Sequence, residues 1–215
     1  MEDGWVDRYL NRRLSSHLTR WFLKTSVTPN QITLTSFLVG LISGLFFWKG
    51  GYTNGVIGAL VFQVSAVLDC CDGEVARLKA MQSRIGQWLD VVCDNIVHVV
   101  LFLAMAWAIY RVTHAPSELV LGYLASMGSL LSLGFVLGLQ RQTSDDPDGS
   151  PPTNDRYGFL RKATDRLTNR DFSAILLVFA LVGRLDWFLW LAALGSNIFW
   201  VVLLWLYQKE ARSFS

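Results

Sequence analysis

Four aspartates lie at a fixed spacing inside an otherwise hydrophobic stretch of this chain. The pattern runs Asp69-x-x-Asp72-Gly73-x-x-Ala76-Arg77 and, after eight further residues, continues as Gly86-x-x-x-Asp90-x-x-x-Asp94. An ionised side chain at mid-membrane costs roughly 3 kcal/mol on insertion scales, so four of them oppose folding by on the order of 10 kcal/mol. The chain therefore needs a compensating charge at this place, and a bound divalent metal ion is the partner that suits carboxylates.

The composition predicts an all-α integral membrane protein. The chain has 215 residues, of which 52% are hydrophobic, and its mean hydropathy is +0.35. Apolar runs of about the length of a membrane-spanning helix indicate six spans, at 31–48, 54–68, 95–110, 119–140, 172–183 and 185–207. The second and third reach full length only if their helices continue through the aspartate motif. We expect the fifth to begin earlier than its apolar run, near Thr164.

The distribution of basic residues predicts the orientation of these spans. Lys and Arg accumulate on the cytoplasmic side of membrane proteins. If both termini are cytoplasmic, only Lys49, Arg111 and Arg184 of the 19 basic residues lie outside. The aspartates then face the cytoplasm from the cell (inner) membrane. The net charge of +2 reflects this topology, and we expect no nucleic-acid partner.

The whole chain, 1–215, is interpreted as one membrane domain. In residues 1–30, apolar and basic side chains alternate at helical spacing, which predicts an N-terminal amphipathic helix lying in the membrane interface, followed by a turn at Pro29. Residues 31–207 form the six-span bundle. The segment 142–155 holds three prolines and four aspartates, so we expect a mobile cytoplasmic loop there.

Helical geometry brings the four acids together. Asp69 and Asp72 are three residues apart, and Asp90 and Asp94 are four apart, so each pair lies on one face of its helix. The short link between the two helices makes them antiparallel neighbours, which lets the pairs face each other. Four carboxylates in one pocket cannot all stay ionised without cations. Mg²⁺ or Mn²⁺ is the expected ion, because such all-oxygen sites leave positions open for substrate phosphates.

The complete motif resembles the signature of the CDP-alcohol phosphotransferase family, D-x2-D-G-x2-A-R-x8-G-x3-D-x3-D, at every fixed position from Asp69 to Asp94. The upstream Pro29-Asn30-x-x-Thr33, the amphipathic N-terminal helix and the six-span layout are similar to that family as well. The resemblance implies metal-dependent transfer of a substituted phosphoryl group from a CDP-alcohol to an acceptor hydroxyl, with release of CMP. It also implies two divalent cations and a homodimer.

The resemblance also assigns roles to individual residues. Asp69 and Asp90 would bridge the two metal ions, and Asp72 would hold the first. Asp94 would contact the second ion and serve as general base. The CDP portion of the donor would be held by Asn30, Gln31, Ile32, Thr33, Gly73, Ala76, Arg77 and Ser83.

The identity of the acceptor stays open at this point. Arg141 and Arg170 match basic positions of family members that use inositol phosphate or glycerol phosphate, although ordinary cytoplasmic basic residues are the alternative. The flanking sequence is most similar to the branch that makes di-inositol phosphodiesters (di-myo-inositol phosphate phosphate synthases), and a phospholipid synthase using CDP-diacylglycerol is an equal alternative. From another class, a cation carrier or channel also uses intramembrane carboxylates.

Two further features allow more than one interpretation. His98 lies one turn beyond Asp94 on the same helical face, where it either supports Asp94 or is satisfied by another neighbour. The fourth span carries a face of small residues that would pack closely either against a second subunit or within one chain. These are Gly122, Ala125, Ser126, Gly128 and Ser129.

Overall fold

A computed structural model describes residues 12–142 and 172–213 of the chain, and within those ranges the regular structure is entirely helical. The helices are α1 (Arg12–Leu23), α2 (Pro29–Lys49), α3 (Tyr52–Leu78), α4 (Arg84–Thr113), α5 (Pro116–Gln142), α6 (Phe172–Val182) and α7 (Leu185–Ser213).

Five of these helices, α2 to α5 and α7, are long and apolar enough to cross a membrane. The predicted continuation of the second and third spans through the aspartate motif is confirmed, because α3 and α4 are unbroken helices of 27 and 30 residues. α6 is described only from Phe172 and has 11 residues. The earlier start expected for that span, the loop expected at 142–155 from residue 143 onward, and the first eleven residues lie outside the described part of the chain.

α2 packs against both α3 and α4, and these three helices form the part of the bundle that carries the aspartates. α5 packs on α4 and α7, and α6 packs on α3 and α7. The shared core contains Leu101, Met105, Leu176 and Leu189, each no more than 1% exposed. α2 approaches α4 so closely that a Cβ atom on Gly44 would lie 2.7 Å from Val100 Cγ1. Glycine is therefore required at this helix crossing.

The turn between α1 and α2 is fixed by local hydrogen bonds. Pro29 is the first residue of α2, where its missing N–H costs nothing. The backbone N–H of Thr28 donates to Gln31 Oε1 at 3.0 Å, which caps the helix. From the end of α3, Lys79 Nζ donates to the carbonyl oxygens of Thr25 and Val27 at 2.8 and 2.9 Å. The entry to α2 is thus tied to the end of α3.

The small residues of the fourth span pack within the chain. A Cβ atom on Gly128 would lie 2.5 Å from Ser196 Oγ of α7. Ala125 is fully buried and Ser126 is 6% exposed. Of the two interpretations of this face, the structure supports packing inside one subunit.

Candidate active site

The four aspartates occupy matching levels of two antiparallel helices. Asp72 lies six residues before the end of α3, and Asp90 lies six residues after the start of α4. Asp69 and Asp94 lie one turn deeper. At 1.5 Å per residue, the deeper pair is about 15 Å from the helix ends. The acids therefore lie near one end of the bundle.

Three of the four carboxylates converge. Ligand oxygens of Asp69, Asp72 and Asp90 all lie within 4.8 Å of one another. Asp72 is buried, whereas Asp69 and Asp90 are half-buried. Asp94 is exposed and is not a member of this group. Three ionised carboxylates this close repel one another strongly. Oxygen ligands of this kind bind hard divalent cations, which would relieve the repulsion.

A threonine on a third helix orients the buried member of the cluster. Thr33 Oγ1, on α2, donates a hydrogen bond to Asp72 Oδ2 and also contacts the carbonyl oxygen of Pro29 at 3.2 Å. Thr33 is only 4% exposed. A hydrogen bond to a metal-binding carboxylate fixes its direction, so the predicted nucleotide-site residue Thr33 lies directly behind a metal-site candidate.

Asn30 and Ser83 meet beside Gly86. Ser83 precedes α4, and its Oγ accepts a hydrogen bond from the backbone N–H of Gly86 at 3.0 Å. A Cβ atom on Gly86 would lie 3.0 Å from both Asn30 Oδ1 and Ser83 Oγ. The start of α2 and the start of α4 therefore bring two predicted nucleotide-site residues to one place.

Gly73 and Arg77 border open space on α3. A Cβ atom on Gly73 would meet only the Arg77 guanidinium, at 3.8 Å. Arg77 and Asn30 are exposed, and Ala76 is half-buried. This part of the surface has room for a ligand beside the acid cluster, and the exposed guanidinium of Arg77 lies at its edge.

The side chains of two expected nucleotide-site residues, Gln31 and Ile32, make contacts within the protein. Ile32 is 1% exposed and packs with Cys71 and Val75 in a small apolar cluster. The Gln31 side chain accepts the hydrogen bond from the backbone of Thr28. A nucleotide contact from Ile32 would have to use its backbone, because the side chain is enclosed.

His98 is surrounded by aromatic rings. Its ring centroid lies 4.7 Å from that of Phe172, 6.0 Å from Phe62 and 6.2 Å from Phe102. These contacts place His98 in the apolar core, one turn beyond Asp94. The side chain of Arg141, and the whole of Arg170, lie outside the described residues.

The sequence interpretation missed two residues that organise this end of the bundle. Glu74 follows Gly73 at a variable position of the motif and accepts hydrogen bonds from Ser15 and Thr19 of α1. Lys79, one of the basic residues predicted to be cytoplasmic, holds the turn before α2. Ser15 and Thr19 are four residues apart, so a small polar face on α1 was the signal available in the sequence.

Comparison with known proteins defines the class. The CDP-alcohol phosphatidyltransferase family matches residues 26–148, which include the acid cluster and its surroundings. The match covers more than half of the chain, and the chain belongs to this family.

Curated relatives with similar sequences include two kinds of synthase. The bifunctional IPC transferase and DIPP synthase of Aquifex aeolicus is 36% identical over 104 residues, which are 48% of this chain and 23% of the relative. The phosphatidylinositol phosphate synthase of Corynebacterium glutamicum is 30% identical over 119 residues, 55% of this chain and 53% of the relative. The matches thus span about a quarter and about half of the relatives' length.

A solved structure shares the fold. The Mycobacterium tuberculosis phosphatidylinositol phosphate synthase with CDP-DAG bound superimposes with a TM-score of 0.63, covering 91% of this chain and 94% of that one. The same enzyme has also been solved in complex with manganese and citrate, with a TM-score of 0.62. Sequence identity in these comparisons is 20% and 19%, so they establish the arrangement of helices.

Proposed function

We propose that this protein catalyses metal-dependent transfer of a substituted phosphoryl group from a CDP-alcohol to an acceptor hydroxyl, with release of CMP, in phospholipid or inositol-phosphodiester biosynthesis. The observation that carries the proposal is the convergence of Asp69, Asp72 and Asp90 within 4.8 Å. These acids stand at the positions of the signature of the family to which the chain belongs.

The carboxylates fit two Mg²⁺ or Mn²⁺ ions. Asp69, Asp72 and Asp90 would hold these ions, with Asp69 and Asp90 shared between the two, and Asp94 would approach the second from outside the converged group. When bound, the ions neutralise the pyrophosphate and stabilise charge on the leaving oxygen. The hydrogen bond from Thr33 keeps the Asp72 oxygen directed into the cluster. A manganese complex of a protein with the same fold supports this choice of ions.

Asp94 is the general base of the proposed reaction. It is exposed, lies one turn deeper than Asp90 on the same face of α4, and is separate from the converged trio. A carboxylate in this position can take the proton of the acceptor hydroxyl while the hydroxyl oxygen attacks the phosphorus atom. The displacement then needs no covalent intermediate with the protein.

The nucleotide occupies the space between the starts of α2 and α4 and the end of α3. Asn30 and Ser83 offer polar groups on one side, and Arg77 offers a guanidinium for the pyrophosphate. Gly73 leaves room for the ligand to approach the helix backbone. The residues around this space form the proposed nucleotide wall. Its other members are Gln31, Ile32, Thr33 and Ala76, and Ile32 contributes through its main chain.

For the acceptor we propose an inositol phosphate. The two kinds of relative described above include phosphatidylinositol phosphate synthases, and proteins named archaetidylinositol phosphate synthase match as well, such as that of Pyrococcus horikoshii, 33% identical over 70 residues. Arg141 and Arg170 are the proposed phosphate ligands, because guanidinium binds phosphate in a bidentate manner.

The proposed topology has six spans, with α1 on the membrane surface and both termini in the cytoplasm. The acids then face the cytoplasm from the inner membrane. Residues 1–215 act as one domain, and two copies form a homodimer. The lopsided distribution of basic residues supports the orientation.

The reaction is tested with the purified chain, Mn²⁺, and either CDP-diacylglycerol or CDP-inositol as donor, each with inositol phosphate and glycerol phosphate. We expect CMP release with inositol phosphate. Asp94→Asn should lower the rate by about 10²–10⁴-fold while CDP binding persists, and Asp186→Asn, at the other end of the bundle, is the matched control. CMP release by Asp94→Asn at the wild-type rate would refute its role as base. Cation flux through protein-loaded liposomes without CDP binding would favour a carrier instead.

A further inference from the structure

Glu74 is a fifth acid beside the site, and its carboxylate is directed to the surface helix rather than to the acid cluster. Ser15 Oγ donates to Glu74 Oε1 at 3.2 Å, and Thr19 Oγ1 donates to Glu74 Oε2 at 2.7 Å. Each carboxylate oxygen therefore has its own hydroxyl partner on α1. Glu74 is not part of the group of acids that converges two residues earlier on α3.

This contact determines which face of α1 meets the bundle. Ser15 is fully buried and Thr19 is 3% exposed, whereas Trp21 is 61% exposed. Cys71 Sγ also lies 3.6 Å from the carbonyl oxygen of Ser15. The helix is thus docked on α3 by small polar groups and by Phe22, which packs against the apolar cluster of Ile32, Cys71 and Val75. The polar contacts to Glu74 add a directional attachment that apolar packing alone does not give.

A second attachment lies at the other end of the same segment. Lys79 Nζ binds the carbonyl oxygens of Thr25 and Val27, just beyond the end of α1. Glu74 and Lys79 therefore hold α1 and the following turn at two points on α3. The next residues of the chain are Asn30, beside Gly86, and Thr33, bonded to Asp72.

We propose that Glu74 is a positioning residue, which docks α1 through Ser15 and Thr19 and thereby seats the start of α2 against the nucleotide and metal sites. The inference rests on the proposed function for the ligand that is bound, but the docking itself does not depend on it. Loss of the dock removes one of the attachments that hold the segment leading to Asn30 and Thr33, so the binding site becomes less ordered before a ligand arrives.

The choice of variants separates a docking role from a role of the negative charge. Glu74→Gln keeps both contacts, because the amide oxygen still accepts from one hydroxyl and the amide nitrogen donates to the other. Glu74→Ala removes both. The double variant Ser15→Ala with Thr19→Val removes the same contacts from the α1 side. Glu118→Ala, on α5 near the opposite end of the bundle, is the control for loss of a glutamate.

Two measurements on the full chain test the proposal. Hydrogen exchange followed by mass spectrometry reports the order of α1, and equilibrium dialysis of radiolabelled CDP with Mn²⁺ reports the site. We expect Glu74→Ala and the double variant to exchange faster in peptides covering Arg12–Leu23 and to bind CDP about tenfold more weakly. Glu74→Gln and Glu118→Ala should stay within about twofold of wild type in CDP affinity.

Each contrary outcome overturns a defined part of the proposal. Unchanged exchange of α1 in Glu74→Ala would show that Glu74 does not dock the helix. Faster exchange with unchanged CDP affinity would show that the dock does not position the site. Equal losses in Glu74→Gln and Glu74→Ala would assign the effect to charge. Wild-type protein that binds no CDP would contradict the proposed function, and the exchange comparison would still decide the docking.

Discussion

The hydroxyl of Thr33 donates a hydrogen bond to the carboxylate of Asp72 across the contact between α2 and α3. The bond joins a residue of the proposed nucleotide wall to a member of the acid cluster. Through it, the position of α2 affects the direction of a carboxylate oxygen in the proposed metal site. The site therefore depends on three helices, although its acids come from only two.

Thr33→Val should weaken metal binding because the variant keeps the shape of the side chain and removes the hydrogen bond. We expect Mn²⁺ affinity to fall by about tenfold, the lower range for loss of a group that orients a metal ligand. Titration of Mn²⁺ followed by its electron paramagnetic resonance signal measures this. Thr35→Val is the matched control, since Thr35 is exposed and its hydroxyl donates to Gln31 O within its own helix. Equal effects of the two variants would contradict the role given to Thr33.

Asp69→Asn should have opposite effects on the metal-free and metal-loaded protein. Removing one of three clustered charges relieves repulsion, so the melting temperature in chelator should rise by about 2–4 °C per kcal/mol of repulsion removed. The stabilisation that Mn²⁺ gives the wild type should be reduced in the variant. Thermal unfolding with and without Mn²⁺ checks both signs. A lower melting temperature in chelator would show that the carboxylate stabilises the fold in its own right.

Gly73→Ala and Gly86→Ala should separate two kinds of steric effect. At Gly73 the new methyl group meets only Arg77, at 3.8 Å, so the melting temperature should not change while CDP affinity falls. At Gly86 it lies 3.0 Å from Asn30 and Ser83, so both quantities should fall. Isothermal titration with CDP and thermal unfolding distinguish the cases. Wild-type CDP affinity in Gly73→Ala would place the nucleotide elsewhere.

Lys79→Met should destabilise the chain by about 1.5–3 kcal/mol, because the ammonium group holds two backbone carbonyls of the turn before α2. Loss of these bonds leaves the carbonyls without their charged donor. Denaturation in detergent measures the change, and Lys49→Met, at the far end of α2, serves as the comparison. If Lys79→Met were as stable as the wild type, the bonds from Lys79 to Thr25 and Val27 would not contribute to stability.

Gly128→Leu should unfold the chain rather than dissociate a dimer. The glycine is in contact with Ser196 of the same chain, so a larger side chain separates α5 from α7. We expect a lower melting temperature that does not depend on protein concentration. Size-exclusion chromatography with light scattering measures the oligomeric state in parallel. A stable monomer in place of a stable dimer would show that this face binds a second subunit.

The sequence was sufficient for the helices and the acid cluster because both follow from local spacing. Apolar runs predict the membrane helices, and the separation of three residues places Asp69 and Asp72 on one face of α3, near Asp90 of α4. Asp94, which the spacing of four also predicted to face the cluster, lies outside the converged group. The helices extend beyond the apolar runs that predicted them, as α4 does by starting at Arg84, because polar turns of a helix carry no hydropathy signal. These features need no knowledge of contacts between distant segments.

Contacts across long sequence separations were not predictable in this way. Thr33 with Asp72, and Thr19 with Glu74, join residues 39 and 55 positions apart. The family resemblance implied that Ile32 helps to hold the nucleotide, and the structure buries its side chain among Cys71 and Val75. A helix start has faces toward both ligand and core, and only the packing of α1, α2 and α3 decides which residue takes which face.

The length of α3 has a consequence for how substrates arrive. At 1.5 Å per residue its 27 residues extend about 40 Å, some 10 Å more than the hydrocarbon thickness of a bilayer. If that excess lies on the side of the acid cluster, Asp72, six residues or about 9 Å from the end, lies at the edge of the lipid headgroups. For the proposed reaction, a donor with acyl tails would then not need to leave its leaflet to reach the carboxylates, and a water-soluble acceptor would not need to enter the hydrocarbon. The headgroup region, between the hydrocarbon and the water, is where a lipid donor and a water-soluble acceptor can meet.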